Sequence, residues 1–417
     1  MTTKTRVARA GIGCAIFLAL FAAARAGNWP QFRGPDGQGH ADATNLPLHW
    51  SETQTVKWKT VLPGEGWSSP VIFGKQIWMT TALETGHSLR ALCVDLDSGA
   101  LVKEIELFQV EAPEFKHAVN SYASPTPVIE DGRVYFSFGD YGSACLATDS
   151  GKILWKNRAL RLEHENGPGS SPILYKNLII LNCDGTNVQY VAALDKMSGN
   201  VVWKTVRSQK IDKAPPMLKA YSTPLVIQVK GEDQLISPAA EYVYAYEPAN
   251  GKERWFVHYP GFSNVPRPVY GESLLYIGTG FGKPEMWAML PGGKGNITEA
   301  NVAWKDLKQA PAKPSPIFVG KSLFMISDNG IVTCLDGRTG KLHWTERISG
   351  EYSASPISAD NRIYFCNQDG KTTVLEVADE FKVLAENKLA DGFMASPAVA
   401  DNSLVLRTKT ALYKIQE

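Results

Sequence analysis

Cysteine is scarce in this chain, and its few copies do not form a disulfide framework. Of six cysteines, Cys14 lies inside an N-terminal apolar run; the other five are Cys93, Cys145, Cys183, Cys334 and Cys366. An odd number leaves at least one unpaired. No two are adjacent, and no CxxC, CxxCH or His/Cys spacing suited to zinc or haem occurs, so no metal site is assigned. Three sit in matching settings, Leu92-Cys93-Val94, Ala144-Cys145-Leu146 and Thr333-Cys334-Leu335, which predicts small buried residues on equivalent strands. Excess charge is also missing: 43 Lys and Arg face 42 Asp and Glu. A sequence-independent nucleic-acid binder needs a basic excess to release counterions, so no nucleic-acid partner is expected. No segment beyond residue 23 is apolar enough to span a bilayer, and long helical periodicity is absent. In their place stand 36 Gly, 25 Pro and alternating β-branched runs, the composition of many short strands and turns.

The N-terminus has the form of a targeting segment. Lys4, Arg6 and Arg9 precede an apolar stretch over 11–23, and Ala24-Arg25-Ala26 reads as a cleavage site. Residues 1–26 are therefore expected to be a signal peptide and the protein to be exported, to the periplasm or outside the cell. Cys14 lies within the apolar run and not at the cleavage point, which opposes a lipoprotein. An extension over 27–54 is expected before a repeat domain over 55–417.

The repeat is marked by a polar residue, a proline and an apolar residue. It occurs at Ser69-Pro70, Ser124-Pro125, Ser171-Pro172, Thr223-Pro224, Arg267-Pro268, Ser315-Pro316, Ser355-Pro356 and Ser396-Pro397. An alternating run follows, as in Arg362-Ile363-Tyr364-Phe365, then a polar-Gly turn such as Asp369-Gly370, then a third apolar run. An acidic turn ending in Gly leads to a run centred on Trp, as in Ser198-Gly199 before Trp203. Four strands at this period make one propeller blade, so an all-β, eight-bladed propeller with four antiparallel strands per blade is predicted. The last unit has room for three strands only. Val56-Lys57-Trp58-Lys59 is similar to Val202-Trp203-Lys204 and is expected to complete that blade and close the ring.

Ala193-Leu194-Asp195-Lys196-Met197-Ser198-Gly199-Asn200-Val201-Val202-Trp203 resembles the tryptophan-docking motif of pyrroloquinoline-quinone (PQQ) type propellers. So does Leu335-Asp336-Gly337-Arg338-Thr339-Gly340-Lys341-Leu342-His343-Trp344. The N-terminal Asn28-Trp29-Pro30-Gln31-Phe32-Arg33-Gly34-Pro35 is similar to the opening of secreted bacterial PQQ-like propellers; outer-membrane protein assembly factor B propellers resemble the chain more distantly. The resemblance implies that Trp58, Trp155, Trp203, Trp255, Trp304 and Trp344 dock between neighbouring blades. The motif is degraded in the first unit, Leu101-Val102-Lys103-Glu104, and in the seventh, around Phe381-Lys382-Val383.

In a propeller, the loops leading into the innermost strands and those between the second and third strands open on one face, over the central channel. Here the lead-in loops carry Glu65, Trp67, His117, Asn120, Tyr122, His164, Glu165, Asn166, Arg267 and Glu351. The other loops carry Asp140, Asp184 and Asn187. These residues are expected to ring a funnel. His164, in the Gly-flanked His164-Glu165-Asn166 loop, is the strongest single candidate because imidazole titrates near neutral pH. No catalytic residue is assigned. Gly278-Thr279-Gly280-Phe281-Gly282 precedes no helical pattern and reads as a blade loop, not a phosphate loop. The expected role is a monomeric, non-catalytic binding or scaffolding module for a protein or small-molecule partner at the funnel or rim. The alternative implied by the resemblance is an oxidoreductase using PQQ with calcium. It would need a stacking platform, basic groups for the quinone carboxylates, oxygen ligands for Ca²⁺ and a carboxylate base. The vicinal cysteines of the larger alcohol-oxidising members are absent.

Overall fold

A computed structural model describes residues 27–306 and 308–417, so the expected signal peptide lies outside the described residues. The strands form eight sheets arranged as successive blades. Each blade is a four-stranded antiparallel meander; blade 3, for example, is Ile173–Tyr175, Leu178–Asp184, Gln189–Asp195 and Val201–Val206. The second and third strands are almost wholly buried because both of their faces pack on neighbouring blades, whereas the fourth strand alternates. Ring closure is as expected. Val56–Val61 pairs antiparallel with Ala411–Ile415 and supplies the outer strand of the blade begun by Ala398–Ala400 and Ser403–Arg407. The first and last parts of the chain thus share one sheet and leave no open seam.

The tryptophans on the outer strands lock most blade junctions. The indole N–H of Trp58 donates to Leu96 O at 3.0 Å, that of Trp155 to Lys196 O at 3.0 Å, and that of Trp304 to Gly337 O at 2.8 Å. Trp344 reaches Ala378 O at 3.2 Å. Under the rings of Trp58, Trp155 and Trp304 lies a turn glycine: Gly199 has φ +73°, and a Cβ there would lie 2.5 Å from the Trp155 ring. Trp203 packs on Gly251 in the same way, whereas Trp344 packs on Phe381. Trp255 differs. Its indole donates within its own blade, to Gln234 Oε1 at 2.9 Å. The next blade's turn is enlarged there, and its Gly295–Asn296 segment adds a fifth, parallel strand beside Trp255.

Two blades lack an outer-strand Trp and solve the problem differently. In blade 1 the stem of Lys103 and the side chain of Ile105 cover Gly151. In blade 7 (Ile357–Ala359, Arg362–Cys366, Lys371–Glu376, Val383–Lys388) the Trp position is Ala385, opposite Val374. Trp50 of the N-terminal extension fills the gap, stacking on Tyr364 with centroids 6.4 Å apart. Its backbone N–H donates to Asn387 Oδ1 at 2.8 Å, and Asn387 Nδ2 donates to Leu48 O at 3.0 Å.

The extension also lines the central channel. Trp29 and Ile72 exchange backbone hydrogen bonds, Ile129 N donates to Pro30 O, and Tyr270 N donates to Gln38 Oε1. Ser358 pairs with Gly39 and Ala41. Each partner is the second residue of an innermost strand, so residues 29–41 wind around the channel wall across blades 1, 2, 5 and 7. His40 adds blade 6, with its Nε2 2.7 Å from Phe318 O.

Candidate functional site

Above this winding segment the channel widens into a cavity of about 610 Å³. Its base is a ring of side chains from the residues that precede the innermost-strand prolines. The backbone N–H of Ser69 donates to Thr126 Oγ1, that of Thr126 to Ser171 Oγ, and that of Ser171 to Thr223 Oγ1. The series resumes with Arg267 N to Ser315 Oγ, Ser315 N to Ser355 Oγ, Ser355 N to Ser396 Oγ and Ser396 N to Ser69 Oγ. All seven bonds are 2.9–3.0 Å, and all seven hydroxyl residues are buried and line the cavity. This corrects one register assignment. In blade 2 the ring position is Thr126-Pro127, not Ser124-Pro125; Ser124 belongs to the preceding turn, where its hydroxyl donates to Asn120 Oδ1.

The ring is interrupted where Arg267 replaces a hydroxyl. Its guanidinium instead donates to Pro224 O, to Phe32 O at 2.6 Å and to Gln31 Oε1. It thereby bridges the gap and anchors the N-terminal segment. Phe32 is part of the cavity floor. Two further arginines grip the same layer: Arg33 Nη2 lies 3.4 Å from Pro356 O, and Arg407 donates to Ser68 O and Thr80 O. All three arginines are buried, which lowers each guanidinium to about 9; for Arg33 and Arg267, Asp36 opposes that fall.

The structure brings together part of the predicted set. Trp67, His117, Asn120 and Asn166 line the cavity. Asn120 is a hub: its Nδ2 donates to Asn166 O and Pro168 O, and its Oδ1 accepts from Ser121 N and Ser124 Oγ. The rest do not face the cavity. Glu65 pairs with Lys116 at 2.9 Å, and the Tyr122 hydroxyl donates to Glu114 O. Glu165 pairs with Lys219, which does line the cavity. Glu351 is exposed, and Asn187 Oδ1 accepts from Glu163 N. His164 is buried between blades, its Nε2 accepting from Asp140 N at 3.0 Å. Burial pushes its imidazole down to about 4 against the pull of Asp140, so it is neutral at pH 7 and already hydrogen-bonded. Asp140 itself holds Arg161 and the Leu162 N–H. Asp184 makes a bidentate pair with Arg207 at 2.9 and 2.6 Å. Burial alone would lower that guanidinium, but Asp184 outweighs it and holds it charged. Apart from the exposed Glu351, the polar groups of these residues are engaged within and between blades, and none of them lines the cavity.

Sequence reasoning missed much of the wall. Tyr221, Phe262, Val265, Phe281 and Met394 are its apolar part, and Lys219, Lys313 and Asp328 its charged part. Lys313 and Asp328 pair at 3.5 Å, and Asp328 Oδ1 accepts from Ala312 N and Lys313 N. Phe281 belongs to the Gly-rich blade loop, where it pairs with Phe262 through the backbone and packs edge-on against its ring. Gly280 and Gly282 flank it at positive φ, and these flanking glycines are the signal available from the sequence.

A family model described as outer membrane protein assembly factor BamB matches residues 40–205, 74–261 and 239–382, which together span most of the chain. The chain belongs to the BamB family. No curated protein matches it. Among solved structures, BamB from Moraxella catarrhalis superposes with a TM-score of 0.60 at 12% identity, over 87% of this chain and 97% of that one. A europium-containing methanol dehydrogenase gives 0.66 at 11% identity, over 94% and 98%. A quinohemoprotein alcohol dehydrogenase, ADHIIG from Pseudomonas putida HK5, gives 0.60 at 11%, over 93% and 80%. At such identities the likeness establishes the PQQ-type propeller fold and nothing more.

The residues present do not fit a quinone with calcium. Among the described residues no three His, Cys, Asp or Glu side chains cluster closely enough to hold a metal ion. The one carboxylate on the cavity wall, Asp328, is committed to Lys313 and two backbone N–H groups. Lys219 is likewise committed to Glu165. The oxygen donors a Ca²⁺ ion needs are therefore not gathered at the cavity. Among the described residues no helix is long and apolar enough to cross a membrane.

Proposed function

We propose that this BamB-family chain is an exported binding propeller, without a catalytic group of its own, that holds a small-molecule or protein partner through the funnel. The observation that carries this reading is the cavity wall. Its upper part is aromatic and apolar, while its Lys and Asp side chains are held in ion pairs and its Asn120 side chain serves loop geometry. Such a surface binds by burial and shape; of its Lys, Asp and His side chains only the imidazole of His117, whose Nδ1 accepts from Val119 N, stands outside an ion pair. Membership in a family described as an assembly factor supports a partner-binding role. The charged residues, apolar run and small-residue triplet at the N-terminus support export.

The test is an equilibrium titration of the mature chain with the neutral fluorescent probe N-phenyl-1-naphthylamine. One saturable site per chain is expected, weakened about tenfold or more by Phe281→Asp at the cavity mouth. Absence of saturable binding would remove the funnel as a site. Saturable binding of PQQ that requires Ca²⁺ would instead favour an oxidoreductase.

A further inference from the structure

The base of the funnel is chemically unlike its wall. Every hydroxyl of the ring accepts a backbone N–H from the neighbouring blade. Only Ser355 passes its own hydrogen on, to Ser315 Oγ at 3.1 Å. The other six hydroxyls have lone pairs engaged and hydrogens without an acceptor among the described residues. Accepting a hydrogen bond polarises an O–H and makes it a better donor. The ring therefore presents hydrogen-bond donors to whatever lies on the axis.

The charge around it has the matching sign. Arg33, Arg267 and Arg407 are buried in this layer, and Arg33 Nε, Arg33 Nη1 and Arg407 Nε have no hydrogen-bond partner among the described residues. The carboxylate that opposes this charge is Asp36, and it is bound to His40. Buried charge of one sign is costly, and because none of the three guanidinium groups lines the cavity they act on an anion at the axis through their field. Above the ring the wall turns apolar, with Trp67, Tyr221, Phe262 and Phe281 facing the cavity.

We propose that the funnel floor is a seat for the carboxylate of an amphiphilic small molecule whose apolar body lies against the aromatic wall. The inference rests on the reading of the funnel as a binding site and specifies its ligand class. The hydroxyl ring supplies neutral donors at the axis, the arginines behind it supply the field, and the aromatics supply the buried area. No metal is required.

The experiment is calorimetric titration of the mature chain with 2-naphthoate, 2-naphthamide and 2-naphthylmethylammonium, which share one apolar body and differ in charge. Naphthoate is expected to bind about tenfold more tightly than the amide, with the ammonium weaker than both. In Arg33→Met the preference for naphthoate over the amide should shrink at least about threefold. That variant gives up one long bond, to Pro356 O, and leaves Asp36 paired with His40, so folding should be retained, as a thermal melt would verify. If Arg33→Met does not fold, the three-ligand series on the unaltered protein still decides. Equal binding of naphthoate and naphthamide would overturn the anion seat while leaving the funnel as a site. A preference unchanged in Arg33→Met would place the anion away from the floor and overturn the proposal. If none of these ligands nor N-phenyl-1-naphthylamine binds, the funnel reading itself fails.

Discussion

Two blade junctions perform the same task with parts from different places. Between blades 2 and 3, Trp155 comes from the blade's own outer strand, docks its N–H on Lys196 O and covers Gly199. At blade 7 the outer strand offers only Ala385, and Trp50 arrives from a segment more than 300 residues earlier to stack on Tyr364. Trp155 faces Tyr135 at 6.2 Å, much as Trp50 faces Tyr364 at 6.4 Å. The difference is polar: Trp50 Nε1 is buried without a partner. A junction thus needs apolar cover more than it needs the indole hydrogen bond: blade 1 draws it from Lys103 and Ile105, and blade 7 recruits it from outside the repeat.

The sharpest way to break the comparison is to delete both rings. Trp50→Ala and Trp155→Ala should each cost about 3–5 kcal/mol, read as a comparable fall in the urea midpoint. If Trp50→Ala cost less than about 1 kcal/mol, the extension would be an ornament and not the seventh docking residue.

The two histidines that tie loops to blades give a second contrast, in pH. His164 titrates near 4 when folded and near 6.5 when unfolded, so the unfolded chain binds more protons between those values. Stability should therefore fall by about 3 kcal/mol as pH drops from 6.5 to 4, and His164→Gln should flatten that limb of the stability curve. His40 runs the other way. Burial opposes its protonation, but Asp36 outweighs burial and raises it, with both ring nitrogens facing acceptors. Its contribution is complete below pH 6.5 and is lost as pH rises through the higher folded value.

A smaller effect should come from the ring. Thr126→Val removes the acceptor for Ser69 N and leaves that buried N–H unpaired, costing about 1–3 kcal/mol. Thr126→Ser should restore most of it, and amide hydrogen exchange at Ser69 would report both. The smallest expected change is none. Cys93, Cys145, Cys183, Cys334 and Cys366 are buried thiols, and burial raises each of them, to about 11 for Cys145 and about 12 for the others. A thiol-disulfide exchange reagent should label none of them in the native protein and all of them in denaturant.

Local patterns carried the fold. The proline signals, alternating runs and acidic-Gly turns each depend on neighbours a few residues away, so the sequence by itself determined blade number, strand order and closure through Trp58. The blade 2 register slipped because Ser124-Pro125 and Thr126-Pro127 are locally alike, and only the ring of interblade bonds distinguishes them. The site was legible in part. Trp67, His117, Asn120 and Asn166 face the funnel, but polarity alone could not tell a group that points to the axis from one that ties two blades. His164 ties two blades by accepting from the Asp140 N–H, and Asp184 holds Arg207, which reaches Ser237 of the next blade. What only the tertiary structure decided is the funnel floor: Phe32, the hydroxyl ring and three buried arginines meet from distant parts of the chain. The physical reason is radial. A repeat fixes what lies along each blade, while the axis is where eight blades and the N-terminal segment converge, and no single repeat contains that information.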